Sequence, residues 1–193
     1  TGVARAVARA ARMVADGADI IDIGAESTLP GAGRVYDDVQ IDRIVPVLAG
    51  IRSHVDERVR RVAVSVDTRS AEVARVCLER GADIVNDVSG GRYDGGMYGV
   101  VAEFGCGYVC MHSRGTPRDM QSDGHVDYSE WDGGVGEGVG EELEERVRIM
   151  GEEGVRNWQV IIDPGVGFAK KGTGDNVEVL RGVGGMVEGW GGT

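Results

Sequence analysis

Residues 62–90, VAVSVDTRSAEVARVCLERGADIVNDVSG, restrict this chain more than any other stretch. An apolar run from Val62 to Val66 ends in Asp67, a helical segment from Ala71 to Arg80 stops at Gly81, and a second apolar run, Ile84 and Val85, ends in Asn86 and Asp87. Strand, helix and strand in so short a span make a βαβ unit, and the two strands must then run parallel. Strands covered on both faces are apolar along their length. Here each turns polar only at its end, where ligand-contacting side chains of parallel α/β folds sit. Asp67 and Asn86 are therefore the first site candidates. The plain alternative is a helix cap at Asp67 and a turn at Asn86, and repetition of the pattern decides between them.

It repeats. A helix over 3–15 puts Val3, Val7, Ala10, Ala11 and Val14 on one face and leads to a strand at Asp19–Ile23, then to the loop GAESTLPGAGR. A helix over 37–53 carries Pro46, which predicts a kink. After the central unit come a short helix at 97–104, a strand at 108–111, and a stretch from His112 to Trp131 without period, of the length that is functional or mobile in compact domains. Residues 133–140 are glycine-rich and read as a flexible lead-in to a helix over 141–153; a strand at 160–162 ends in Asp163, and a last helix over 176–190 is weakened by glycines. Five strands thus alternate with helices and share one polar mouth. A doubly wound sheet would gather its polar residues at one switch point; here they are spread over all the strands, which favours part of a (β/α)8 TIM barrel, about five of its eight units. Residues 1–193 are expected to form one domain that lacks a first strand before Thr1 and about two strands after Thr193, and such a fragment is expected to be inactive and poorly folded by itself, with two open sheet edges.

Composition enters through its exclusions. With 21 basic and 32 acidic residues the formal net charge is −11, which argues against a nucleic-acid partner and gives no support to an anionic membrane surface. No run is long and apolar enough for a transmembrane helix, and no signal peptide is visible. Cys77, Cys106 and Cys110 make no disulfide framework.

At the mouth, Asp67, Asn86 and Asp163 would converge. Carboxylates brought together repel unless a donor-rich ligand or a metal lies between them. Cys110 and His112 share a strand face, too few ligands for zinc. A heterocycle with an N–C–N donor edge, such as a 2-amino-4-oxopyrimidine, suits a carboxylate better, because it gives two parallel N–H bonds as an arginine fork does. The Ser27-Thr28 backbone and the GVGF turn at 165–168 could approach an anion. Arg114, Arg118, Lys170 and Lys171 lie on loops that should flank the mouth, although each taken singly reads as a solvated surface charge.

DIIDIGAESTLPGA, SVDTRSAEV, GADIVNDVSGG, MHSRGTPRDMQ and IIDPGVGFAKKG, in this order and spacing, resemble the dihydropteroate synthase family over about residues 17–180. FAKKG and the setting of Trp158 look most like eukaryotic forms fused to other folate-pathway enzymes. The resemblance implies a (β/α)8 barrel that joins 7,8-dihydropterin-6-ylmethyl diphosphate to 4-aminobenzoate with Mg2+ and releases diphosphate. It implies that Asp67, Asn86 and Asp163 hold the pterin, that Met111 lines the pterin pocket, that Thr28 sits on the loop closing over diphosphate and aminobenzoate, and that Phe168 packs on the aminobenzoate ring. A homodimer and fusion to other folate domains are compatible with it. Two departures stand out: Leu29 occupies a position where the family usually has Arg, and the family's metal-binding Asn, its SRK-type Lys and its Arg-x-His have no counterpart in these residues. Two rivals remain, a non-catalytic or truncated pterin-binding protein and a methyltetrahydrofolate–corrinoid methyltransferase; the ESTLPGA and MHSRGTP loops count against the second.

Overall fold

The computed structural model describes residues 2–27, 33–116 and 119–190. Its elements run α1 (Gly2–Ala15), β1 (Ile20–Gly24), α2 (Asp37–Arg52), α3 (Glu57–Arg61), β2 (Ala63–Asp67), α4 (Ala71–Leu78), β3 (Ile84–Asp87), α5 (Met97–Phe104), β4 (Gly107–Met111), α6 (Gly134–Glu152), β5 (Val160–Asp163) and α7 (Gly172–Trp190). All strand pairings are parallel, and the sheet order is β1-β2-β3-β4-β5. A doubly wound sheet would reverse its order at a switch point. This one adds each new strand on the same side, as the wall of a barrel does, and it forms an arc of a (β/α)8 barrel.

The register assigns two unlike faces. Ile21, Val64, Val66, Val85, Asp87, Tyr108 and Cys110 fall on one, and all are buried in one core with α1, α2, α4, α5 and α6. Asp22, Ser65, Asp67, Asn86, Val109, Met111 and Asp163 fall on the other. The strands were expected to be apolar up to their ends. The structure corrects this: Asp22 and Ser65 are polar well before the strand ends, on the face away from the helices, where Ile20 and Ile161 are also half exposed.

Several local expectations change for physical reasons. The glycine-rich stretch 133–140 is helical from Gly134, because Val135, Gly138 and Val139 are buried. A Cβ on Gly138 would lie 2.8 Å from Tyr128 and 2.9 Å from Trp131, so the bare backbone lets two rings pack against the helix, and packing overrides propensity. Helix α7 likewise begins at Gly172, ahead of the expected start. A short helix, α3, went unforeseen; its N-cap Asp56 accepts from Arg58 N. Helix α2 runs through Pro46 without interruption. At Gly50 a Cβ would fall 2.6 Å from Val7, so glycine there sets the close approach of α1 to α2.

Candidate functional site

Asp67 and Asn86 are direct neighbours across β2 and β3. Asn86 also aligns with Val109, and Met111, two residues on, aligns with Asp163. Asp163 therefore shares the face of Asp67 and Asn86 but stands about two residues, roughly 7 Å, further along the strand direction. The structure brings Asp67, Asn86, Met111 and Asp163 to one face at the carboxyl ends of four strands. Phe168 lines a cleft beside them with Ser27, Arg69, Ser89, Ser113 and Thr116. Thr28, Leu29 and Arg118 lie outside the described residues.

The plain reading of Asp67 as a helix cap fails, since Ser70 caps α4, its Oγ accepting from Val73 N. Burial, and then the charges of Asp22, Asp87 and Glu26, push Asp67 up to about 7, with Arg69 opposing. Asn86 Nδ2 donates to Asp22 Oδ2 at 3.2 Å. A Cβ on Gly24 would stand 3.0 Å from Asp67 Cβ, so the β1 backbone passes close to this carboxyl. Asp87, the residue after Asn86, is structural: it faces the helices and accepts from Ser89 N, Ser89 Oγ, Gly91 N and Tyr108 OH, which fixes the NDVSGG loop. Burial raises its pKa, and those bonds oppose the rise.

Asp163 is both turn former and candidate ligand. Its Oδ1 accepts from Gly165 N at 2.8 Å, and among the described residues no protein donor is recorded on Oδ2. The turn itself is tight. Gly165 has φ +68, and a Cβ there would fall 2.0 Å from His112 O. Gly165→Ala is therefore expected to cost about 2 kcal/mol or more, a loss of roughly 4–8 °C in melting temperature for a chain of this size; a thermal melt within 1 °C of wild type would contradict it. The same turn does not offer the anion site expected of it, because Gly165 N, Gly167 N and Phe168 N donate to Asp163, Asn176 and Gly165 O.

Two of the expected cations, Arg114 and Lys170, are also committed elsewhere. Arg114 is buried; it donates to Glu142 and to Asp127 O, and its guanidinium lies 3.9 Å from the Tyr128 ring centre and 5.0 Å from that of Trp131. Those contacts pin much of the 112–131 stretch against α6, which was expected to be a mobile or functional loop. Lys170 is buried rather than solvated. His112 shares the buried side of Cys110, but its Nε2 meets Glu142 of α6 at 2.9 Å, away from the mouth. Of the three described cations of that set, Lys171 is the exposed one.

Arg69 was missed from sequence, and Asp22 and Glu26 were not singled out within the polar strand end from Asp22 to Thr28. Glu26 Oε2 pairs with Arg69 Nη2 at 2.7 Å, both side chains largely buried, and the Arg69 guanidinium lies 4.4 Å from the centre of the Tyr93 ring. Glu26 Oε1 accepts from Val35 N, so one carboxylate ties the loop after β1 to the end of β2. The period of two could have found Asp22; nothing local marks the Glu26–Arg69 pair. Among the described residues no group of three or more His, Cys, Asp and Glu is placed to hold a metal ion. The donor set for Mg2+ is not assembled by these side chains.

A family model described as "Pterin binding enzyme" matches residues 1–189. The Folate synthesis bifunctional protein of Arabidopsis thaliana is 42% identical over 175 residues, which is 91% of this chain and 35% of that protein. The dihydropteroate synthase of Streptococcus pyogenes is 39% identical over 183 residues, 95% of this chain and 62% of the other. The crystal structure of Burkholderia cenocepacia dihydropteroate synthase complexed with 7,8-dihydropteroate superposes with a TM-score of 0.81 at 36% identity, over 93% of this chain and 60% of that one. The chain thus spans about a third of the plant protein and about three fifths of the bacterial ones.

Proposed function

This chain belongs to the pterin-binding enzyme family, and on that premise we propose that it forms the pterin-holding part of a dihydropteroate synthase. The observation that supports the reading best is the common face of Asp67, Asn86 and Asp163. Two carboxyls and one carboxamide, set apart along a shallow wall, match a flat ring rich in N–H donors and poor in charge. Asp163 takes the N–C–N donor edge, its second oxygen accepting one N–H and Oδ1, which also accepts from Gly165 N, the other; Asn86 donates and accepts at the adjoining ring positions, and Asp67 accepts a further ring N–H. Met111 supplies the apolar contact with the ring.

The reaction needs no protein nucleophile. The bond between the pterin methylene carbon and the diphosphate oxygen breaks, and its electron pair leaves with diphosphate. The amine of 4-aminobenzoate then forms the new C–N bond and loses a proton. What this chain supplies is position: the pterin is held by strand ends, which are rigid, while the amine enters along the cleft of Phe168, Ser27 and Ser113. Acidic side chains near the pterin face the cationic methylene that develops as diphosphate leaves. Mg2+, a homodimer and a fused folate-pathway domain, the last as in the plant bifunctional protein, are compatible with this reading.

The test is diphosphate release from the pterin diphosphate by the intact polypeptide, with and without 4-aminobenzoate. Release that depends on the amine is expected. Tight pterin binding without release would favour the non-catalytic reading, and methyl transfer from methyltetrahydrofolate would favour the corrinoid one.

A further inference from the structure

Lys170 has no role in pterin binding as described, yet it is 2% exposed, and lysine is seldom buried unless its ammonium is engaged. Its Nζ lies 2.9 Å from His112 Nδ1 and 2.9 Å from Phe168 O. On the far side of the imidazole, Nε2 meets Glu142 Oε2 at 2.9 Å. Burial lowers Lys170 to about 8, with Asp163 and Glu142 opposing, so it is cationic near neutral pH. An ammonium has only donors, so Nδ1 accepts, and the proton of a neutral His112 sits on Nε2 and is donated to Glu142. Burial likewise holds His112 below its ordinary value. Burial pushes Glu142 up, but its bonds to His112 and Arg114 outweigh that and leave it at about 2. The chain of charges is consistent from end to end: carboxylate, neutral imidazole, ammonium.

The segment that carries Lys170 is strained. Ala169 has φ +48, a left-handed conformation that a residue with a Cβ rarely adopts, and it is fully buried. Such a conformation persists only where its surroundings over-determine it. Here Tyr128 OH donates to Ala169 O at 3.0 Å, Phe168 N donates to Gly165 O at 3.0 Å, and Lys170 reaches back to Phe168 O. Of these three ties, only the Lys170 bond holds the carbonyl of Phe168, whose side chain lines the cleft beside the pterin face.

We propose that Lys170 is a positioning residue: through the Glu142–His112–Lys170 relay it fixes Phe168 at the wall that receives the aromatic amine, and so sets affinity for the amine and not for the pterin. The proposal rests on the dihydropteroate synthase reading above. Lys170→Met keeps the length of the side chain and removes its donors. In the intact polypeptide we expect the KM for 4-aminobenzoate to rise at least about tenfold while pterin affinity stays within about threefold. In a double-mutant cycle with Phe168→Leu, the double variant should be no worse than Phe168→Leu alone, because the lysine acts through that ring. A merely structural lysine would give additive losses. Should Lys170→Met melt below the assay temperature, Glu142→Gln loosens the far end of the relay at a carboxylate that is partly exposed, and it should raise the same KM by a smaller factor. A well-folded variant with unchanged KM, or a fall in pterin affinity as large as the rise in KM, would overturn the proposal. Failure of the wild-type polypeptide to use the amine at all would instead overturn the synthase reading.

Discussion

Asp163→Asn is expected to cut pterin affinity at least about tenfold, the equivalent of roughly 1.4 kcal/mol, with little change in melting temperature. The reason lies in the division of labour between its two oxygens. Oδ1 accepts from Gly165 N and orders the turn after β5, and an asparagine keeps that bond through its amide oxygen. The second oxygen, which takes the ring donor, becomes an NH2 group facing an N–H. Charge-assisted hydrogen bonds are worth about 1.5–3 kcal/mol each, and a stranded donor in a dry pocket adds to the loss. The amine approaches along the Phe168 cleft, so the KM for 4-aminobenzoate should move far less. Calorimetric titration with the pterin, beside a melting curve, separates the two roles: unchanged affinity in a well-folded variant would remove Asp163 from the pterin site, whereas a large loss of stability would mean that the turn role dominates.

The strand-end carboxyls were legible in the sequence because strand geometry is local. A period of two and abrupt polar endings place Asp67, Asn86 and Asp163 without knowledge of any distant contact. The barrel arc was legible for the same reason, since strict βα alternation with polar residues on every strand leaves few arrangements. Lys170 was misread because its burial depends on His112, 58 residues away, and on the carboxylate of Glu142 beyond it. One signal was available: His112 follows Cys110 by two positions on one strand face, and a free cysteine is among the most often buried residues, so His112 had to point under the helices as well. The start of α6 was hidden by glycine propensity, which says nothing about the rings of Tyr128 and Trp131 lying against Gly138. Arg114 is similar: a guanidinium over two aromatic rings looks like a surface charge until the rings are placed.

Asp67→Asn should make the protein more stable and the site worse, and the size of the first effect should depend on pH. Burial, then the charges of Asp22, Asp87 and Glu26, raise Asp67 from 3.8 to about 7, against the pull of Arg69. A raised carboxyl pKa means that the folded state holds a proton which the unfolded chain has already released between about pH 4 and 7. Stability therefore falls as pH rises through that window and stays low above it. Asparagine has no such charge to bury. At pH 8 the variant should melt several degrees higher, since each kcal/mol is worth about 2–4 °C at this size, and the gap should close toward pH 4. Pterin binding should fall at least about tenfold in the same variant, because a ring N–H loses its charged acceptor. A ligand donor drives Asp67 toward its ionised form, so wild-type binding at pH 6 should release a proton, visible as a calorimetric enthalpy that changes with the ionisation enthalpy of the buffer. Asp67→Asn should abolish that component. Stability sacrificed to hold a charged group in place is the usual mark of a ligand-binding position. Parallel stability curves for wild type and variant from pH 4 to 8, with no proton release by wild type, would show that Asp67 is an ordinary ionised carboxylate, and unchanged pterin affinity in a well-folded Asp67→Asn would end its assignment as a pterin acceptor.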